Sequence, residues 1–191
     1  MARNHTTKIR KTSKERGFTL MELIVVIAIF GVMAALAVPT LLGQEPRMSV
    51  RSAARDIVSN MQMARINALR DHSTWAIQFD TDIACYRALS NDGGDDDWDD
   101  GDETVYKTVN LSNYRGVSYG TGHGARPNEP NPGSTDGVSF NSNRVVFNSD
   151  GTSVSGTVYV KTGDGDTFAI GLLSAAGRVK TWRHLGSGWE E

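Results

Sequence analysis

The chain has 191 residues, with 20 Lys and Arg against 22 Asp and Glu for a formal charge of −2, and 39% of it is hydrophobic. That length fits one domain of roughly 150 residues plus an appendage, large enough to bury about 70% of its unfolded surface, and the charge excludes a globally basic nucleic-acid binder. The single cysteine, Cys85, excludes an intramolecular disulfide framework and any metal site of several thiolates, and reads as a small buried apolar side chain.

Residues 1–17 carry six basic side chains against one acid, Glu15, and so hold +5, which leaves −7 for the other 174 residues. Residues 23–44 then run 22 positions without a charge, long enough to cross about 30 Å of hydrocarbon as a helix. A basic flank before such a segment predicts that residues 1–17 stay cytoplasmic while the rest crosses the membrane. The apolar stretch lacks a good small-residue cleavage site after it, so it is expected to persist in the mature protein.

Directly before it stand Gly17, Phe18, Thr19, Leu20, Met21 and Glu22. The string KERGFTLMELIVVIAIFGVMAALAVP resembles, without a gap, the signal of type IV prepilins and type II secretion pseudopilins. The resemblance implies cleavage between Gly17 and Phe18 by a prepilin peptidase and N-methylation of Phe18. It also implies an inner-membrane precursor that an assembly platform and its ATPase draw into a filament of pseudopilins or pilins. Glu22 is the one acid of the segment, and an acid at bilayer centre costs on the order of a few kcal/mol. The resemblance assigns it to pairing with the Phe18 amine of a neighbouring subunit; the local alternative is an interfacial acid at the positive end of the helix dipole.

Pro39 predicts a helix bend over 39–46, reinforced by Gly43 and Pro46. The three segments are thus a leader at 1–17, a membrane and filament-core helix at 18–46, and a periplasmic head at 47–191. Within the head, Val50, Ala54, Ile57, Met61, Ala64 and Ala68 recur at steps of four and three, predicting an amphipathic helix over 47–70 whose arginines form a solvated or subunit-facing side. Short β-type runs follow at 74–79, 84–89, 104–111, 116–119, 138–140, 144–147, 156–161, 167–173 and 178–183, separated by Gly, Asp, Asn and Ser. No helical pattern intervenes, so the fold class is α+β: a long N-terminal helix packed on antiparallel sheets. The string SVRSAARDIVSNMQMARINALRD and the late Gly-Arg strand are most similar to the GspH/FimT branch of minor pseudopilins and minor pilins.

Residues 92–103, DGGDDDWDDGDE, place eight carboxylates in twelve positions with no base among them. Two readings stay open: a solvated acidic hairpin tip, or a loop that binds a hard cation such as Ca2+ through Asp95, Asp97 and Asp99. A true EF-hand is excluded, because its glycine is displaced to Gly101 and no Glu falls at the twelfth position. Residues 120–137 hold three of the five prolines and no Val, Ile, Leu or Phe, which predicts a long exposed loop.

The C-terminal run Gly177-Arg178-Val179-Lys180-Thr181-Trp182-Arg183 puts Arg178, Lys180 and Trp182 on one strand face and Arg183 on the other. Basic side chains beside an aromatic are the elements of salt-sensitive nucleic-acid binding, and the run is similar to the GRxRxxR motif of DNA-binding minor pilins, with Lys180 at its second arginine. The loss of the planar fork at Lys180 and the −7 of the mature chain weigh against DNA, and a structural edge strand is the competing reading. The four histidines show no metal-ligand spacing, and neither a nucleophile elbow nor a phosphate loop occurs, so no enzyme and no required cofactor are expected. The competing class is an uncut single-pass membrane protein that retains Gly17.

Overall fold

The computed structural model describes residues 17–42, 45–90, 98, 101, 103–122, 136–172, 176–185 and 188–191, with only the backbone given for 37–42, 45 and 185. Two compact units divide after Leu42.

The first unit is helix α1, Leu20–Leu42. Thr19 caps it: the Glu22 backbone N–H donates to Thr19 Oγ1 at 3.2 Å, and the Leu23 N–H donates to the Thr19 carbonyl. Thr19 and Glu22 stand in the T-x-x-E spacing of a capping box, and Glu22 lies in the first turn, where an acid complements the helix dipole. The helix is apolar on all sides, and every described side chain from Leu20 to Leu36 is exposed. Among the described residues no helix is long and apolar enough to cross a membrane, and the expected membrane segment 18–46 runs past the last described side chain of α1. The backbone stays helical through Pro39 to Leu42, since the proline removes only one backbone donor. Positions 43 and 44 of the expected bend lie outside the described residues.

The second unit begins with α2, Glu45–Asp71, stopped by His72 in the left-handed region at φ 51°. Its predicted stripe is buried, joined by Ala53. Sheet A is fully antiparallel in the order β3-β2-β1-β5, with β1 Trp75–Asp80, β2 Cys85–Ser90, β3 Thr104–Asn110 and β5 Arg144–Phe147. Sheet B, also antiparallel, runs β4-β6-β7-β8-β9: Val117–Tyr119, Gly156–Thr162, Thr167–Leu172, Val179–Leu185 and Gly188–Glu190.

One core joins α2 to the inner faces of both sheets. Ile57 and Met61 are fully buried against it, each worth about 1.5–3 kcal/mol of apolar transfer. Phe79 lies among Tyr86, Tyr119 and Phe140, and the Tyr119 hydroxyl donates to the Cys85 carbonyl at 2.9 Å, tying β4 to β2. Cys85 is buried, and burial raises its thiol pKa. Between α2 and sheet A sits a polar network. Asn60 Nδ2 donates to the Tyr86 hydroxyl at 2.9 Å, Lys107 Nζ donates to Asn60 Oδ1 at 3.0 Å, and Tyr114 donates to Asp56.

Two expectations are corrected. Residues 138–140 form no strand: Val138 makes a single bridge to Val158, because Gly137 at φ 92° precedes it and a tight turn at Asn141–Asn143 follows. β9 was not expected at all. Of the predicted loop 120–137, residues 123–135 lie outside the described residues. Its two ends converge on Tyr159, whose carbonyl accepts from the Gly120 N–H and whose N–H donates to the Gly137 carbonyl. A side chain at Gly137 would meet the Gly120 backbone at 2.3 Å, so this crossing requires glycine.

Candidate functional site and the surfaces of the head

At the N-terminal motif, Gly17 has open space where a Cβ would stand and Phe18 is 85% exposed. The fold therefore makes no demand for glycine at 17 and gives Phe18 nothing to pack on. The Glu22 carboxylate is exposed and has no partner among the described residues. Gly17, Phe18 and Glu22 are thus close together, accessible and without a partner among the described residues, followed by a helix whose described side chains are all exposed.

The C-terminal basic strand differs from its expected form. Arg178 is exposed just before β8, after the turn at Gly177. Lys180 is bound to Glu191, and Arg183 Nη2 to Glu190 at 3.2 Å, a pairing set by the register of β8 against β9. Trp182 is no stacking platform for a base: it is 8% exposed, packed with Tyr159 and Ala169 and backed by Trp189. Its ring reaches this position because Gly171 on β7 has no side chain; a Cβ there would stand 3.1 Å from the indole. The sequence missed β9 and therefore the two glutamates that offset the strand's charge.

Of the acidic segment, Asp95, Asp97 and Asp99 lie outside the described residues, and among the described residues no cluster of His, Cys, Asp or Glu is arranged to hold a metal. Trp98 is described and is 8% exposed. It packs on Ala76, Leu89 and Val146, which alternate with core-facing residues of β1, β2 and β5 and so mark the outer face of sheet A. Arg144 stands 5.8 Å from its ring centre. One aromatic among eight carboxylates was the signal for this anchor.

Between α2 and β8, two adjoining clefts of ≈ 380 Å³ each are bordered by Arg47, Arg51, Arg55 and Arg183 over an apolar floor at Phe168. The four-residue spacing of the three helix arginines was legible; that β8 would bring a fourth beside them was not.

Residues 12–38 match the prokaryotic N-terminal methylation motif, and residues 53–177 match the family of the type II transport protein GspH. The chain belongs to the GspH family. The expected resemblance is borne out both for the N-terminal string and for the head of this GspH-family chain, as is the α+β, pilin-like fold class. Among curated relatives, the type II secretion system core protein G of Escherichia coli K12 is 49% identical over 51 residues, 27% of this chain and 35% of that protein. The pilin-like protein PilA1 of Thermus thermophilus is 36% identical over 69 residues, 36% of this chain and 43% of that protein. The chain thus spans about a third of the first and less than half of the second. Among solved structures, the minor pseudopilin EpsH of the Vibrio cholerae type 2 secretion system is similar at TM-score 0.49 and 10% identity, over 70% of this chain and 95% of that one. The type IV minor pilin FimU of Pseudomonas aeruginosa is similar at TM-score 0.47 and 16% identity, over 76% and 95%.

Proposed function

We infer that this GspH-family chain is a minor pseudopilin, a structural subunit of a type II secretion pseudopilus. It is made as a single-pass inner-membrane precursor with a periplasmic head and carries out no catalysis. The observation that carries the reading is the capped helix α1, uniformly apolar and uncovered on every described side, directly behind an exposed Gly17-Phe18 pair. Such a helix is stable only where lipid or other protein surrounds it. Leaving the bilayer for a bundle of like helices exchanges one apolar surrounding for another, so the transfer exposes no apolar surface to water.

On this reading prepilin peptidase cuts after Gly17, and the freed Phe18 amine of one subunit meets Glu22 of its neighbour. The exposed Glu22 carboxylate has no partner among the described residues, which leaves it available. The DNA-uptake alternative draws less support, since Trp182 is buried and both Lys180 and Arg183 are held by glutamates.

The experiment is intact-mass analysis from native membranes combined with filament incorporation. The wild type should begin at N-methylated Phe18. Gly17→Ala should accumulate as an uncut precursor with an unchanged fold, and Glu22→Ala should be cut but incorporate poorly. A wild-type chain that retains residues 1–17 would make this an uncut membrane protein, and full incorporation of Glu22→Ala would remove the pairing role.

A further inference from the structure

The groove between α2 and β8 has an unbalanced charge. Arg47 holds Asp166 at 2.8 Å and Arg183 holds Glu190 at 3.2 Å, while Glu191, which also borders the groove, is taken by Lys180. Arg51 and Arg55, one helical turn apart and both exposed, hold no acid among the described residues, and the neighbouring Asp56 accepts from Tyr114 instead. Met48, an apolar side chain 67% exposed, shares the cleft with Arg47 and Arg51 above Phe168. This edge of the head is therefore cationic and apolar at once, the composition of a segment that lies at the headgroup level of a bilayer.

Position in the chain supplies the occupant. The uncharged run 23–42 is long enough to cross about 30 Å of hydrocarbon as a helix. Arg47 follows Leu42 by five residues, at most about 18 Å of extended chain, and Arg51 lies about 6 Å farther along α2. The headgroups extend about 5–8 Å beyond the hydrocarbon on each side, so chain length alone keeps these arginines close to the bilayer surface while the subunit is anchored. Residues 45–55 carry Arg47, Arg51 and Arg55 against one acid, Glu45. Basic residues so near the exit side of a span run against the tendency of Lys and Arg to stay cytoplasmic, and membrane topology does not account for them. Each guanidinium fork can take a phosphate through two hydrogen bonds, and two forks one turn apart can bracket a single phosphodiester.

We propose that the α2–β8 groove binds the phosphate of an anionic phospholipid of the periplasmic leaflet through Arg51 and Arg55, with Met48 at the boundary of headgroups and acyl chains. The contact docks the head on the bilayer before the subunit is drawn into a filament, and extraction breaks it. It rests on the membrane-anchored precursor inferred above and adds a lipid site on the head.

The test uses the full chain in nanodiscs that contain a nitroxide-headgroup lipid as quencher, with a fluorophore on Ser52→Cys; Ser52 is exposed, whereas Cys85 is buried and stays unlabelled. The ratio of docked to undocked heads, read from the quenching, should be roughly tenfold higher in discs containing phosphatidylglycerol than in pure phosphatidylcholine, and the difference should shrink as salt is raised. Arg51→Gln combined with Arg55→Gln should remove the difference, and Arg178→Gln, outside the groove, should leave it unchanged. Equal quenching in the two kinds of disc, or a difference that survives the double variant, would overturn the proposal. So would saturable binding of duplex DNA, inorganic phosphate or polyglutamate at the same two arginines in discs that show no lipid dependence, because the groove would then serve a soluble anion or an acidic protein surface. A chain that does not co-elute with the discs would refute the membrane anchor and the docking with it; a chain that co-elutes without lipid dependence would refute the docking alone.

Discussion

Replacing Trp98 by alanine removes the one described side chain that fastens the acidic segment to the head. A buried Trp covers about 150–250 Å², which at roughly 25 cal/mol per Å² is an upper limit of about 4–6 kcal/mol. Ordering the residues on either side of Trp98 consumes part of that gain. The net loss for Trp98→Ala should be about 3 kcal/mol, at the low end of the ~3–5 kcal/mol typical of buried aromatic truncations. The Arg144 contact at 5.8 Å from the ring supplies about 0.5–1 kcal/mol of that loss. Trp98→Phe retains the apolar contact with Ala76 and Leu89 and should lose less than half as much. Urea unfolding of the full chain in detergent should show a lower midpoint at unchanged slope. Cleavage by an Asp-specific protease within 92–103 should quicken far more in the alanine variant than in the phenylalanine one. A loss below about 1 kcal/mol with unchanged cleavage would mean that Trp98 is not the anchor, since no buried aromatic of this size is so cheaply removed.

Two further outcomes follow from the core. Burial, the largest cause in each case, raises the phenol pKa values of Tyr86 and Tyr119 above the ordinary 10. The folded state thus holds both protons longer than the unfolded state. Their contribution is fully present below pH 10 and is lost as pH rises above it, at about 1.4 kcal/mol per pH unit for each. Alkaline titration followed at the tyrosinate absorbance should therefore show late ionisation coincident with unfolding; two phenols titrating freely near pH 10 in the folded protein would contradict it. Gly156→Ala places a Cβ 2.3 Å from the Phe140 ring, itself stacked on Phe79, and should cost about 1–3 kcal/mol. Gly163→Ala, which meets open space, should be close to neutral in the same unfolding assay.

Much of this fold was legible because its periodicities are clean. The stripe Val50–Ala54–Ile57–Met61–Ala64–Ala68 is one helix face, and eight of the nine strand segments were marked by β-branched and aromatic runs between turn residues. What escaped was decided by distant partners. Gly188-Trp189-Glu190 is too short to read as a strand alone and becomes one only because β8 offers an edge for His184 to face Trp189. The run 138–140 has strand composition, yet Gly137 and the turn at Asn141–Asn143 leave it one bridge long. The same limit governs the surfaces. Lys180 and Arg183 read as part of a basic patch until β9 supplies Glu190 and Glu191, whereas Arg51 and Arg55 share a cleft with Arg183 only once β8 lies beside them. The N-terminal methylation motif around Gly17, Phe18 and Glu22 was legible as a string, because it is contiguous in sequence and leans on nothing in the fold.

The order in which the sheets are filled bears on how the head comes into being. β1 is made early, but its second neighbour, β5, lies some seventy residues downstream, pairing Trp75 with Phe147, and α2 awaits β6 and β7 to cover its stripe. A chain emerging from its N-terminus thus presents α2 and the first hairpin with part of their apolar faces bare until residue 172 has appeared. High separation between partners makes such folding slow and late, and intermediates with open strand edges are prone to aggregate. A long interval before closure favours a nascent head that is threaded through a narrow passage as an extended chain and collapses once, on the far side.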